Sequence, residues 1–152
     1  MQSIKEPLPQ ILRPRLAAVV DEEIPTDIWI AFFHVMAGKS VFGSYRCSVA
    51  ADGRLFFVAR STKNKDHEVP FDVPLPKEPS ARLEKGQLEK IQAALDKQEF
   101  FQHPGWESRD SRDGAHDILR VRREDQIHTV IYLNVINPLI ALLQTIARKS
   151  EA

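Results

Sequence analysis

The chain of 152 residues carries 21 Lys and Arg against 21 Asp and Glu, so its formal net charge is zero. A chain of this length can bury roughly 68–70% of the surface of its unfolded form, which is enough for one hydrophobic core. The single cysteine excludes an internal disulfide, and the lack of a basic surplus disfavours nucleic-acid binding through bulk electrostatics. Composition therefore predicts one soluble domain, either in a reducing compartment or with a fold that does not depend on oxidation.

Four prolines within the first 25 residues predict an extended N-terminal arm (1–25) ahead of a single domain (26–152). The longest apolar run of the arm, Leu16–Val20, is too short for a signal-peptide core. The run Ile28–Met36 is too short for a membrane-spanning helix. We therefore expect a cytoplasmic protein that does not associate with membranes.

The β-branched and aromatic residues of Ile28–Val35 predict a first strand that is buried on both faces. The apolar segments 45–49 and 55–59 flank Asp52 and Gly53, a dipeptide that supplies the positive φ angles of tight hairpin turns. These segments therefore predict a β-hairpin. A long, proline-rich excursion at 61–79 follows it.

Leu88, Ile91 and Leu95 recur at helical spacing and predict an amphipathic helix that begins near Gly86. A second helix is predicted after Asn137, because Asn is a good N-cap, Pro138 suits the first helical position and an apolar stripe follows.

Between the two helices, the segments 116–122 and 127–133 predict a second hairpin. With the first strand and the first hairpin, this predicts an α+β fold. We expect an antiparallel sheet of about five strands with two helices packed on one face.

The densest group of ionisable side chains lies between residues 109 and 117. Asp110, Asp113, His116 and Asp117 are candidate ligands for a divalent cation, because carboxylate and imidazole groups bind such ions. Their spacing matches no standard calcium or zinc motif, and neighbouring arginines neutralise part of the carboxylate charge. A solvated loop is the preferred interpretation, so we expect neither a metal nor a cofactor.

Candidate interaction residues are Trp106, Arg120 and Arg122. Trp106 follows a Pro-Gly pair, where a rigid aromatic side chain either anchors a partner or packs against the end of the preceding helix. Arg120 and Arg122 share one face of a predicted strand, for which an exposed sheet face is the simpler interpretation than a nucleic-acid contact. Trp29 lies within an apolar strand and is predicted to be a core residue.

Cys47 is a candidate nucleophile if His34 lies beside it on a neighbouring strand. Thiol catalysis needs a partly exposed, electropositive site, whereas Cys47 lies in mid-strand and shares a face with Tyr45 and Val49. A buried, unreactive thiol is therefore the preferred interpretation.

A pattern over residues 43–147 combines a tyrosine-bearing strand, an Asp-Gly hairpin, a helix that ends in aromatic residues, and a closing hairpin and helix. The residues that carry it are Gly43, Ser44, Tyr45, Val49, Asp52, Gly53, Leu88, Ile91, Leu95, Phe100, Phe101, Leu119, Val121, Val130 and Pro138. In this arrangement the chain resembles a family of uncharacterised bacterial α+β domains. The resemblance implies the fold and carries no catalytic residues. Members of that family are often exported, but this chain shows no signal segment, so their localisation is not transferred to it.

Taken together, the sequence predicts a non-enzymatic protein-interaction or binding module, with inhibitor and immunity proteins as the concrete subclass. We expect its partner to be another protein or a small ligand and expect no nucleic acid, while the oligomeric state is left open. The alternative is a metal-dependent hydrolytic enzyme that uses Asp110, Asp113 and His116.

Overall fold

A computed structural model describes residues 22–35, 45–59, 75–108, 116–135 and 137–149. The elements are β1 (Ile28–Val35), β2 (Tyr45–Ala50), β3 (Arg54–Ala59), β4 (Ala81–Arg82), α1 (Lys85–Lys97), a 3₁₀ turn (Phe100–Gln102), β5 (Trp106–Ser108), β6 (His116–Arg123), β7 (Gln126–Leu133) and α2 (Pro138–Lys149). Most of the predicted arm, and the predicted loop residues Asp110 and Asp113, lie outside these ranges.

The seven strands form one sheet in the order β4-β3-β2-β1-β6-β7-β5. Every pair of neighbours is antiparallel except β5 and β7, which run parallel. The predicted α+β class is therefore confirmed, whereas the predicted number of about five strands is too low. The two additional strands, β4 and β5, lie at the edges of the sheet and are too short to show a periodic pattern.

Both faces of the sheet are buried, as the continuous apolar run of β1 predicts. One face packs against both helices, and Phe32, Leu119 and Ile91 are fully buried there. The opposite face holds a second apolar cluster around Phe33 and Ile118, and Ile24 packs against it. Each face of the sheet therefore has its own cluster of buried apolar side chains.

A β-bulge interrupts the pairing of β1 with β2. Ile28 pairs with Ala50 and Ile30 pairs with Val49, so Trp29 is the additional residue on β1. Such an insertion bends the strand and changes the direction of a side chain. Trp29 consequently packs beside Ile30 against the helix-side cluster. The prediction of a core residue is corrected, because Trp29 is only partly buried.

The predicted Asp-Gly hairpin is confirmed, and its turn also supports the approach to α1. Gly53 has a φ of 99°, and its carbonyl accepts a 2.7 Å hydrogen bond from the Leu83 amide. A Cβ atom at this position would lie 2.7 Å from the Leu83 carbonyl oxygen and 3.6 Å from Leu88. Glycine thus lets the turn pack directly on the chain that enters α1.

The predicted N-cap of the last helix is confirmed. The Asn137 side-chain oxygen accepts a 2.9 Å hydrogen bond from the Ile140 amide, which has no partner within the first helical turn. At the start of α1, the Gln87 side chain accepts a 2.8 Å hydrogen bond from the Glu84 amide. At the start of each helix a nearby side chain therefore accepts a hydrogen bond from a backbone amide.

Candidate functional site

An open apolar groove lies between the β1–β2 end of the sheet and α1. Trp29 and Ala51 line it on the sheet side, and Lys85, Leu88, Glu89 and Gln92 line it on the helix side, enclosing about 340 Å³. We call this site the Trp29 groove.

Local structure explains why the groove forms at this end of the sheet. The bulge turns Trp29 toward α1, and the Ala51 amide donates a 3.2 Å hydrogen bond to the Asp27 carbonyl. That bond fixes the hairpin turn against the start of β1. Leu88 packs against the core only in part, so its remaining surface faces the groove. Both walls are therefore held by regular secondary structure.

Charges on the sheet side of the groove neutralise one another. The Arg54 guanidinium lies 2.9 Å from the Asp52 carboxylate and 3.0 Å from that of Asp27. Its hydrogen bonds hold the pKa of Asp52 below the usual value, and the same contacts raise the pKa of Arg54. On the helix side, Lys85 and Glu89 form no ion pair with another residue that the structure describes.

A second candidate site is the partly buried pair of His34 and Asp117. The His34 Nδ1 atom donates to the Asp117 carboxylate at 2.7 Å, and Gln144 of α2 donates to the same oxygen at 3.3 Å. The His34 ring stacks on Tyr45 with 5.1 Å between centroids. A carboxylate can orient a histidine as a general base in this way. These two hydrogen bonds link His34 of β1, Asp117 of β6 and Gln144 of α2.

Cys47 does not complete that pair as a nucleophile. In the β1–β2 register Cys47 lies opposite Phe32, whereas His34 lies opposite Tyr45. Cys47 is 3% exposed, and burial raises the pKa of its thiol to about 12. The thiol is therefore protonated at neutral pH, and the prediction of a buried cysteine is confirmed.

Of the predicted metal ligands, His116 and Asp117 lie within the described residues, whereas Asp110 and Asp113 do not. His116 and Asp117 are neighbours on β6, so strand alternation directs their side chains to opposite faces. Among the described residues, no three His, Cys, Asp or Glu side chains form a group that could hold a metal ion. A site that includes Asp110 and Asp113 stays a prediction.

Trp106 lies on the edge strand β5, opposite Ile131 of β7. It is partly buried and packs against the cluster on the face opposite the helices. His103 supports the approach to this strand: its Nδ1 accepts from the Gly105 amide at 3.0 Å, which leaves Nε2 to donate to Glu107 at 3.0 Å. A role for Trp106 in partner binding stays a prediction.

Arg120 and Arg122 contact the segment 22–25, which lies across the sheet face opposite the helices. Arg120 donates to the Glu22 carbonyl at 2.7 Å, and Arg122 donates to the Ile24 carbonyl at 2.8 Å. Arg46 adds a 2.8 Å ion pair with the Glu22 carboxylate. Arg120 is 4% exposed, so the expectation of an exposed sheet face is wrong at this position. Contact of these arginines with a partner stays a prediction.

Sequence reasoning missed the Trp29 groove as a site. Leu88, Glu89 and Gln92 lie on the predicted amphipathic helix, whereas Lys85 precedes its expected start near Gly86. Trp29 is predicted to be a core residue. The missing signal was the bulge, which depends on how β1 pairs with β2. Spacing along β1 alone does not reveal it.

Comparison with known proteins adds no family assignment. No model of a known protein family matches the chain, and no curated protein matches it. The resemblance to uncharacterised bacterial domains therefore stays a prediction. Within the ranges that the structure describes, neither helix is long and apolar enough to cross a membrane.

Proposed function

We propose that this protein is a non-enzymatic protein-interaction module of the inhibitor-like or immunity-like kind, and that the Trp29 groove is its docking site. One observation carries the proposal: a bulge holds a partly exposed tryptophan in the wall of an apolar groove whose other wall is a helix. Tryptophan is enriched among the residues that dominate binding energy at protein interfaces.

The size and lining of the groove favour docking over chemistry. Pockets for small molecules usually enclose about 300–1,000 Å³, and the groove, at about 340 Å³, lies at the lower end of that range. This volume leaves room for one large side chain of a partner. The described groups whose pKa values are strongly raised, Cys47 and Tyr132, do not line the groove. Catalytic sites commonly concentrate such perturbed groups, whereas docking sites do not need them.

Rigid walls also support the proposal. Trp29 lies between Ile28 and Ile30, which both pair with β2, and Leu88 is held by the packing of α1 on the core. A partner side chain that enters between them gains apolar contact without having to order the groove first. Burial of one large apolar side chain contributes about 1.5–3 kcal/mol to the binding free energy, which is enough for that side chain to act as an anchor.

The test is a selection of displayed peptides against the folded protein, followed by affinity measurements with Trp29→Ala and Trp106→Phe. We expect the selected peptides to bind Trp29→Ala about 30-fold more weakly, the loss typical of an anchor residue. Trp106→Phe is the matched control, because it changes the other tryptophan, which lies on the opposite face. Circular dichroism establishes that both variants are folded.

Two results would overturn the proposal. Peptides that bind Trp29→Ala as well as the native chain would exclude the groove. Peptides that lose affinity only in Trp106→Phe would move the docking site to β5, as the sequence-based interpretation of Trp106 expects.

A further inference from the structure

We infer that His103 is a pH-sensitive latch, which holds the edge strand β5 on β7 while its ring is neutral and releases that strand when the ring is protonated. The latch is the contact between the His103 ring and the Gly105 amide. It uses no residue of the Trp29 groove, so the inference is independent of the proposed docking function.

The latch closes the turn that leads into β5. Gly105 has a φ of 106°, and a Pro-Gly pair such as Pro104 and Gly105 is typical of a tight turn in which the glycine adopts this conformation. The Gly105 amide donates to His103 Nδ1 at 3.0 Å, and the Gly105 carbonyl accepts from the Ile131 amide at 3.0 Å. Gly105 is therefore held by His103 on one side and by β7 on the other.

Hydrogen-bond chemistry fixes the charge of the ring in the closed turn. A backbone amide only donates, so His103 Nδ1 accepts from Gly105 only while it carries no proton. A proton on Nδ1 makes both ring nitrogens donors, and the Gly105 amide then loses its acceptor. Because the closed turn requires a neutral ring and an open turn does not, acid favours the open turn. Histidine is the side chain whose charge ordinarily changes between pH 5 and 8.

The titratable groups that face the ring come from β5 and β7. Glu107 of β5 accepts from His103 Nε2 at 3.0 Å, and its carboxylate attracts the charged ring, so protonation costs the Gly105 contact and not the Glu107 contact. Tyr132 of β7 lies 5.5 Å away between ring centroids, and burial raises the pKa of its hydroxyl, which stays neutral over this pH range. His128 Nε2 donates to the His103 carbonyl at 3.0 Å, a bond that a charged His128 ring also makes.

Opening of the turn acts on β5 because this strand is short. It comprises only Trp106–Ser108 and pairs with β7 alone, at the edge of the sheet. Trp106 directly follows Gly105 and packs in part against the cluster on the face opposite the helices. Loss of the Gly105 contact removes the support at the start of the strand. Protonation of His103 therefore exposes Trp106.

The test is amide hydrogen exchange of the full chain, measured as the protection of the Gly105 amide relative to an unstructured chain at the same pH. We expect this protection to fall about tenfold between pH 7.5 and pH 5.5, the change in equilibrium that one lost hydrogen bond produces. His103→Asn is the matched variant, because an Asn side-chain oxygen accepts from the amide two residues further on and does not titrate. Its Gly105 protection should stay constant.

A second variant tests the part played by Glu107. Glu107→Gln keeps an acceptor for His103 Nε2 and removes the negative charge. Because the charged ring then lacks its counter-charge, we expect the loss of Gly105 protection to move about half a pH unit lower, the size typical of a partly exposed ion pair. A loss at the same or at higher pH would overturn the assignment of the latch to the His103 ring.

The indole NMR signals report whether β5 itself is released. The Trp106 signal should move over the same pH range as the loss of Gly105 protection, and this movement should be absent in His103→Asn. The Trp29 signal is the internal control, because Trp29 packs against the helix-side cluster.

Three results would overturn the inference: constant Gly105 protection in the native chain, an equal loss in His103→Asn, or a Trp106 signal that does not move. If circular dichroism shows that His103→Asn does not fold, the ring-nitrogen NMR signals of His103 in the native chain decide. An Nδ1 that is already protonated at pH 7.5 would overturn the inference. An Nδ1 that gains its proton together with the loss of Gly105 protection would support it.

Discussion

Gly53 shows how one residue places a wall of the groove. Gly53 has a φ of 99°, and a Cβ atom at this position would lie only 2.7 Å from the Leu83 carbonyl oxygen. We expect Gly53→Ala to lower the free energy of unfolding by about 1–3 kcal/mol, because it combines backbone strain with a steric clash. Urea denaturation measures the change.

Gly86 provides the matched control, since a Cβ atom there would meet nothing within 4 Å. Gly86→Ala lies in the first turn of α1 and should stabilise the protein by up to about 1 kcal/mol. Equal effects of the two substitutions would contradict the account of the Gly53 turn.

Cys47 is a second residue whose behaviour follows from burial. Because burial raises the pKa of its thiol to about 12 from an ordinary 9.0, we expect no alkylation of the folded protein at pH 8 and rapid alkylation in urea. The unfolded chain releases this proton at lower pH than the folded chain, so the thiol's contribution to stability declines as pH rises from about 9 to 12. Fast modification without urea would contradict a buried thiol.

The helices show which elements are predictable from local sequence. Asn137, Pro138 and the apolar stripe that follows specify α2 within a few residues, so the structure confirms both its start and its buried face. The spacing of Leu88, Ile91 and Leu95 likewise predicts α1. In each case the residues that form the sequence pattern lie within the helix that they predict.

The cap at Asn137 gives a prediction at this scale. Asn137→Ala should lower the free energy of unfolding by about 1 kcal/mol, because the Ile140 amide loses its acceptor. Asn137→Ser is expected to restore the cap, because serine is also a good N-cap residue. It should restore most of the stability and not all of it, because the Asn137 side chain also hydrogen-bonds the Tyr132 hydroxyl. If the Ser variant were no more stable than the Ala variant, the cap would not be the reason.

Elements that depend on distant residues were not predictable. The short strands β4 and β5 exist because longer neighbours provide hydrogen-bonding partners. The bulge at Trp29 arises from the pairing of β1 with β2 and cannot be read from either strand alone. The sequence therefore predicts the layers of the fold, while the groove requires the strand register.

For the whole molecule, the metal-dependent alternative can be tested without locating its ligands. We expect millimolar Mg²⁺, Ca²⁺, Mn²⁺ or Zn²⁺ to leave the melting temperature unchanged, because the spacing of Asp110, Asp113 and His116 matches no standard metal-binding motif. A specific site at a hundred times its dissociation constant would add about 2.7 kcal/mol, or roughly 5–10 °C. Calorimetry resolves such a shift.

The loop at 109–117 supplies the control for that experiment. If a metal does raise the melting temperature, the variant Asp110→Asn/Asp113→Asn should be measured beside the native chain. Loss of the shift in this variant would support the hydrolytic alternative over a pure docking role.

The central claim is that partners dock beside Trp29, and the two tryptophans of the chain offer a direct readout. The measurement is a two-dimensional ¹H–¹⁵N NMR titration of the native protein with a selected peptide, with the two indole signals assigned through Trp29→Ala and Trp106→Phe. Our account predicts that the Trp29 indole signal shifts in proportion to occupancy while the Trp106 signal stays in place. A shift of the Trp106 signal with an unmoved Trp29 signal would contradict it.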